Sequence, residues 1–203
     1  MQYHLSELEI ALDPTNPKHI LPPHLAAGSR VLDIGCGAGQ TLLAAYPDDI
    51  AFGLDLDFEA LKFGTTITKN VRFVCGRAEA LPYRSGEFDY VIARVSLPYT
   101  NIGLSLKEIR RVLKPGGRVW MVLHGFSLAR RGRNNWKGIL FLGYVIVNSA
   151  LFHFAHRQFS VFGRCESFQT DRGITGALRR AGFESIAITR DRHFLVTAQS
   201  IRA

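Results

Sequence analysis

The sequence predicts an α/β fold: a doubly wound, mostly parallel seven-stranded sheet with an antiparallel C-terminal hairpin strand. Three observations lead there. From Arg30 onward, short apolar runs alternate with helix-patterned segments, which implies a largely parallel sheet covered on both faces. A glycine cluster, "VLDIGCGAGQ", directly follows the first run. The last two runs, "FESIAITR" and "HFLVTAQS", are separated by only Asp191 and Arg192, a link short enough to require an antiparallel pair.

The elements follow in order. "HLSELEIALDP" reads as a helix stopped by Pro14, within a leader covering residues 1–27. "RVLDI" is a short buried strand and "GQTLLAAY" a short helix ended by Pro47. "IAFGLDL" is the second strand, and "DFEALKFGTTITKN" a helix with Asp57 as its N-cap. "VRFVC" and "FDYVIA" are the third and fourth strands. Ile102, Leu106, Ile109 and Leu113 recur at helical spacing and mark one buried face. Arg110, Arg111 and Lys114 suit the end of that helix, and Pro115-Gly116-Gly117 stops it. "RVWMVL" is the fifth strand. After an insertion at 125–169, "ITGALRRAGF" is a helix with Gly182 as its stop, followed by the closing strand pair.

Composition bounds the function. The 203 residues, 47% hydrophobic and 21% charged, suit one globular domain over residues 1–203 with a sizeable core. Cys36, Cys75 and Cys165 are too scattered for a disulfide framework or a zinc site, so no metal is expected and a reducing, cytoplasmic setting is. The N-terminus is too polar for a signal peptide. A net charge of +8 admits a phosphate-rich partner, RNA or an anionic lipid surface, as well as an ordinary basic enzyme.

A strand entering glycines and then a helix makes a nucleotide-like site, because glycine lets backbone amides press on the ligand. The dinucleotide pattern G-x-G-x-x-G requires a third glycine where Gln40 stands, and no Gly-Lys-Ser/Thr follows for a P-loop. What remains is Gly35-x-Gly37-x-Gly39, with Asp33 two residues earlier and Asp55 ending the second strand in "GLDLD". A carboxylate there can accept both hydroxyls of a ribose.

"VLDIGCGAG", "GLDLD", "CGRAEALPY", "FDYVIA" and "RVLKPGGRV" together resemble the class I S-adenosylmethionine-dependent methyltransferases, and within them the broad small-molecule group. The resemblance is strong over about residues 30–123 and looser in the closing helix and strands. It implies a Rossmann-like methyltransferase fold, S-adenosylmethionine as cofactor and S-adenosylhomocysteine as product. It also implies that Gly35, Gly37 and Gly39, with Gln40 beside them, line the methionine part, while Asp33 lies near its amino group. Asp55 would take the ribose hydroxyls and Leu56 would pack on the adenine. The acid that often follows the third strand is replaced by Arg77, leaving the Ala78 backbone and Glu79 as adenine contacts. Ala93 and Arg94 would border the sulfonium and the substrate mouth.

On the acceptor side, His124 follows the fifth strand and is a candidate base, and Tyr99 is a candidate wall of the acceptor pocket. Ser96-Leu97-Pro98-Tyr99 also resembles the Asn/Asp/Ser-x-Pro-Tyr motif of amino-group methyltransferases, including those acting on ribosomal RNA. In these, side-chain and carbonyl oxygens receive the amine. It sits later after the fourth strand than that motif does, and no appended RNA-binding module accompanies it, so a nucleic-acid partner is not expected.

The insertion holds "GILFLGYVIVNSALFHFA", residues 138–155, which are 18 residues without Asp, Glu, Lys or Arg. That length meets the threshold for a membrane span, but spanning would separate the last helix and strands from their sheet. A lid over a small, hydrophobic acceptor is the leading expectation, with Asn148, Ser149 and His153 orienting its polar group. The others are a dimer contact, giving a homodimer rather than a monomer, and a membrane-surface helix. The surface reading joins the segment to the basic run "ARRGRNNWK" as a peripheral contact over 129–156. The competing functions are thus methyl transfer to a small acceptor, amino-group or RNA methylation, and a non-catalytic cofactor-binding protein at a membrane.

Overall fold

The structure is a computed structural model that describes residues 2–124, 136–161 and 165–202. Its strands are β1 Val31–Ile34, β2 Ala51–Asp55, β3 Val71–Cys75, β4 Phe88–Arg94, β5 Leu113–Leu123, β6 Phe183–Thr189 and β7 Phe194–Ser200. Its helices are α1 Gln2–Leu12, α2 Gln40–Ala45, α3 Phe58–Ile67, α4 Ile102–Val112, α5 Trp136–Ala155 and α6 Asp171–Arg180. The sheet order is β3-β2-β1-β4-β5-β7-β6, with β7 antiparallel to both neighbours. The fold is the mostly parallel, doubly wound sheet with a C-terminal hairpin that the sequence predicts.

Strands buried on both faces need apolar residues at every position, and the period of two then assigns each to a side. In β4 and β5, Val91, Ala93, Val119 and Met121 share a core with Leu106 and Ile109 of α4 and Ile174 and Leu178 of α6. Tyr90, Ile92, Trp120 and Val122 face the opposite core, with Leu42 and Ala45 of α2. Leu21 and Leu25 of the leader pack against this second core, tying the N-terminal segment to the sheet.

Helix ends follow local chemistry. Asp57 caps α3 by accepting the Ala60 N–H, Asn101 caps α4 by accepting that of Leu104, and Thr170 caps α6 by accepting that of Gly173. The end of α4 differs from the sequence expectation. The helix stops at Val112, and Leu113 opens β5, paired with Phe88. Lys114 therefore leaves the helix terminus and places its ammonium 2.8 Å from both oxygens of Asp89. An apolar residue at helical spacing cannot reveal whether the next turn is helical when a sheet edge is there to receive it.

Candidate active site

In this strand order the chain leaves β1 toward β2 and β3, then returns to β4 on the other side. That reversal opens a crevice at the carboxyl ends of β1 and β4. A cavity of about 1260 Å³ occupies it. One flank is the loop after β1, where the Gly35 and Cys36 N–H groups both donate to Leu54 C=O, at 2.7 and 3.1 Å. The other is the turn after β4, where Val95 takes a left-handed φ of 62° that β-branched residues rarely adopt. That turn aims Ser96 back at the loop, and its hydroxyl donates to Ile34 C=O at 2.5 Å.

This closeness fixes the first glycine. Gly35 has φ +73°, and a Cβ there would overlap the Ser96 side chain. Gly35→Ala is expected to lose about 2 kcal/mol through the left-handed conformation and the overlap together. Urea unfolding measures this, and an unchanged midpoint would show that Ser96 yields freely.

Gly37, Leu56, Ala78, Glu79 and Arg94 line the cavity with Gly35 and Asp55. Asp55 accepts the Gly37 N–H at 2.7 Å on one oxygen and the Asp57 N–H at 2.9 Å on the other. A carboxylate offers about four acceptor positions, so two remain for a ligand. Glu79 accepts the Asn101 N–H at 3.0 Å, and Arg77 stands 3.6 Å from it. Asp33 is different in kind. It lies 1% exposed beneath the loop, behind the residues that line the cavity, and its Oδ1 has no partner among the described residues. Burial raises its pKa from the ordinary 3.8 to about 7, against the pull of Arg94 and with a further push from Asp55. A buried carboxylate oxygen left without a donor fits a cationic ligand group.

Three sequence-named residues take other places. Ala93 belongs to the core beneath α4 and α6, because strand alternation gives the crevice to Arg94 instead. Gly39 turns away from the cavity. It has φ +82°, and a Cβ on it would meet the Phe73 ring, so it serves the close packing of the loop on β3. Gln40 borders the cavity, but its amide is engaged, with Nε2 donating to His4 C=O at 3.1 Å and Oε1 accepting the Ala38 N–H at 3.2 Å.

The same contacts reveal a wall that the sequence did not announce. Gln40 ties α1 to the loop, and Glu7 of α1 pairs with Arg94 at 3.1 Å. His4, Glu7, Lys18 and Ile20 thus line the cavity. The β6–β7 turn, residues 190–193, lines it as well. Because β6 runs parallel to β1–β5, its end falls at the carboxyl edge of the sheet. His193 of this turn has a buried Nε2 without a partner among the described residues.

At the far end of the cavity, Tyr99 and His124 come together. The Tyr99 hydroxyl lies 3.1 Å from His124 Nε2, with the rings edge-on at 5.6 Å. The His124 and Gln169 backbones join where the Gln169 N–H donates to His124 C=O at 3.0 Å, and Gln169 Oε1 accepts the His124 N–H at 3.3 Å. Burial pushes the imidazole below its usual pKa, so it stays neutral and able to accept a proton at pH 7. "CESFQT", residues 165–170, is therefore the strap that seats His124. Its Ser167 N–H donates to Pro98 C=O, and Cys165 and Glu166 reach the cavity.

The expectation that the apolar helix covers the acceptor pocket differs from where its described residues lie. None of the described side chains of α5 lines the cavity. Asn148 Nδ2 donates to Phe159 C=O and Glu166 C=O, Ser149 Oγ accepts the Phe168 N–H, and His153 Nδ1 lies 2.7 Å from Thr170 Oγ1. These three residues hold the strap and do not reach an acceptor. The basic run at 129–135 lies outside the described residues.

Comparison with known proteins agrees with this geometry. Residues 32–121, which carry the loop, both acids and β4, match the family described as Methyltransferase domain. Residues 32–121 are thus a methyltransferase domain similar to those of the class I S-adenosylmethionine-dependent enzymes. An uncharacterized methyltransferase of Bacillus subtilis is 36% identical over 105 residues, covering 48% of this chain and 42% of that protein. A demethylmenaquinone methyltransferase of Staphylococcus carnosus is 39% identical over 98 residues, covering 44% of this chain and 41% of its own length. The chain thus spans less than half the length of these methyltransferase relatives. The crystal structure of an S-adenosylmethionine-dependent methyltransferase from Methanosarcina mazei superposes with a TM-score of 0.61 at 20% identity, covering 89% of this chain and 96% of that one. S-adenosylmethionine is the cofactor of this family. The residues here fit it, with an orphaned buried carboxylate for its ammonium and free lone pairs on Asp55 for its ribose.

Proposed function

We propose that the chain transfers a methyl group from S-adenosylmethionine to a small lipophilic acceptor. One observation carries this reading: a single cavity runs from the Gly35–Gly37 loop and Asp55 to the Tyr99–His124 pair. When bound, the cofactor supplies a methyl on a sulfonium, a leaving group that needs no further activation. The chain's own work is then to align the acceptor, exclude water and remove a proton. Asp33, Asp55, Leu56, Ala78 and Glu79 hold the donor end. The His124 imidazole takes the acceptor's proton at Nε2 directly, or through the Tyr99 hydroxyl that bridges to it. The lipophilic class draws support from the demethylmenaquinone methyltransferases among the relatives.

The amino-group alternative draws less support. Ser96 Oγ already donates to Ile34 C=O, Leu97 C=O accepts both the N–H and the hydroxyl of Thr100, and Pro98 C=O accepts the Ser167 N–H. Of these oxygens, Leu97 C=O already has two donors, while Ser96 Oγ and Pro98 C=O each keep acceptor capacity.

The test is production of S-adenosylhomocysteine with demethylmenaquinone and, separately, with a total lipid extract. His124→Ala is expected to cut turnover about 100-fold with S-adenosylmethionine affinity unchanged, and Tyr99→Phe to cut it less. Because burial lowers the imidazole pKa, the acid limb of the turnover profile should fall below the ordinary histidine midpoint near 6.5. No product with either acceptor source overturns the proposal.

A further inference from the structure

The polarity of α5 is reversed relative to a helix at a water-facing surface. Among its described side chains, the exposed positions are Ile139, Leu140, Gly143, Ile146, Val147, Ala150, Leu151 and Phe154, at the spacing of one helical face, and none is polar. Leu140 and Phe154 are 65% and 70% exposed. The polar side chains among these described residues, Tyr144, Asn148, Ser149 and His153, point inward and bond to the strap. Ordinary amphipathic helices do the opposite. Phe159 and Val161 extend the exposed apolar surface beyond the helix, and a patch of this size marks an interaction surface.

Charge identifies the occupant. From Ile109 to Cys165 the sequence has no Asp or Glu. At the C-terminal end of the apolar face, Arg157 is exposed, the Arg172 guanidinium stands 5.9 Å from the Phe154 ring, and Arg180 bonds to Ala155 C=O. The nearby acid, Asp171, is paired with Arg190 at 2.7 Å. An apolar face with cations at its end, on a chain of net charge +8, complements an anionic bilayer surface. Two copies meeting on this face would bring like charges together.

We propose that α5 docks in the plane of an anionic membrane, its outward face among the acyl chains and Arg157, Arg172 and Arg180 at the headgroups. The helix is about 30 Å long and lies along the surface, since its inner face is bonded to the strap that reaches β5 and α6. The strap also carries Cys165 and Glu166 to the cavity, so docking sets the acceptor entrance beside the bilayer. This goes beyond the methyl-transfer reading and is tested without it.

The full chain is sedimented with phosphatidylglycerol vesicles and with phosphatidylcholine vesicles, alongside the variant Leu140→Glu/Val147→Glu/Phe154→Glu. All three positions are exposed and glutamate is a good helix former, so S-adenosylmethionine affinity should be unchanged. We expect binding to phosphatidylglycerol that weakens with salt, at least tenfold weaker binding to phosphatidylcholine, and at least tenfold loss in the variant. Equal binding by the variant overturns the proposal. So does a dimer that the variant dissociates while neither vesicle binds, which would assign the face to a second copy. A second readout does not depend on the triple variant. Val147→Cys in a Cys75→Ser background, labelled with an environment-sensitive fluorophore, should brighten on phosphatidylglycerol vesicles, and unchanged emission overturns the proposal.

Discussion

Asp33→Asn will raise the unfolding temperature of the ligand-free protein by several degrees at pH 8 and by only about a third of that at pH 5. The cause is the cost of keeping a carboxylate buried without a donor. Its native pKa is about 7 against an ordinary 3.8, so between those values the folded state holds a proton that the unfolded state has released. Stability from this group is therefore present at low pH and lost as pH rises from about 4 to about 7. Above pH 7 the penalty approaches about 4 kcal/mol, at roughly 1.4 kcal/mol per pH unit. Asparagine, neutral throughout, avoids it. The same substitution removes a negative charge buried beneath the cofactor loop, so S-adenosylmethionine affinity should fall at least tenfold at pH 8. In the parent protein, affinity should itself decline as pH drops below 7. Thermal scans and calorimetry at the two pH values decide the matter. A variant less stable than the parent at pH 8 would mean that Asp33 has a donor the geometry does not reveal.

Asp55→Ala should weaken S-adenosylmethionine binding about 100-fold. Two hydrogen bonds from ribose hydroxyls to a charged acceptor are worth about 1.5 kcal/mol each, and their sum corresponds to two decades in Kd. The substitution also frees the Gly37 and Asp57 N–H groups that Asp55 now holds, so the loop loses its anchor to β2. Asp55→Asn separates these effects. One amide oxygen can still accept, and the loop should hold while affinity falls by a smaller factor. Isothermal calorimetry well below the unfolding temperature provides the measurement. Affinity within threefold of the parent in Asp55→Ala would remove Asp55 from the site.

The two acids were legible because each sits at the carboxyl end of a strand, Asp33 within β1 and Asp55 closing β2. A strand end beside glycines leads to the same crevice whichever residues pack elsewhere. Caps such as Asp57 were legible for a similar reason, since the bond to Ala60 closes within four residues. Leu113 was misread because its spacing fits a helix while its partner, Phe88, lies 25 residues away on another strand. Ala93 was misassigned by one position, and a one-residue step in a strand exchanges the two faces.

The acceptor side was less legible. Tyr99 and His124 were named separately, yet their 3.1 Å approach exists only because β4 and β5 are neighbours. Gln169 and the rest of "CESFQT" carried no recognisable chemistry, because their role is to seat another residue. The only signal was their position before a helix whose N-cap, Thr170, closes the segment.

The insertion marks the boundary most clearly. Composition identified residues 138–155 as an apolar helix, but period and hydropathy do not tell which face turns inward when nearly every residue is apolar. The sequence by itself determined the sheet, the cofactor loop and its acids, because local spacing and burial on both faces leave few alternatives. Only the tertiary structure decided that α1 walls the cavity, that Tyr99 meets His124, and that α5 turns its polar side in. Each of those rests on contacts between segments far apart in the chain, where packing and hydrogen-bond satisfaction choose among arrangements that local pattern leaves equal.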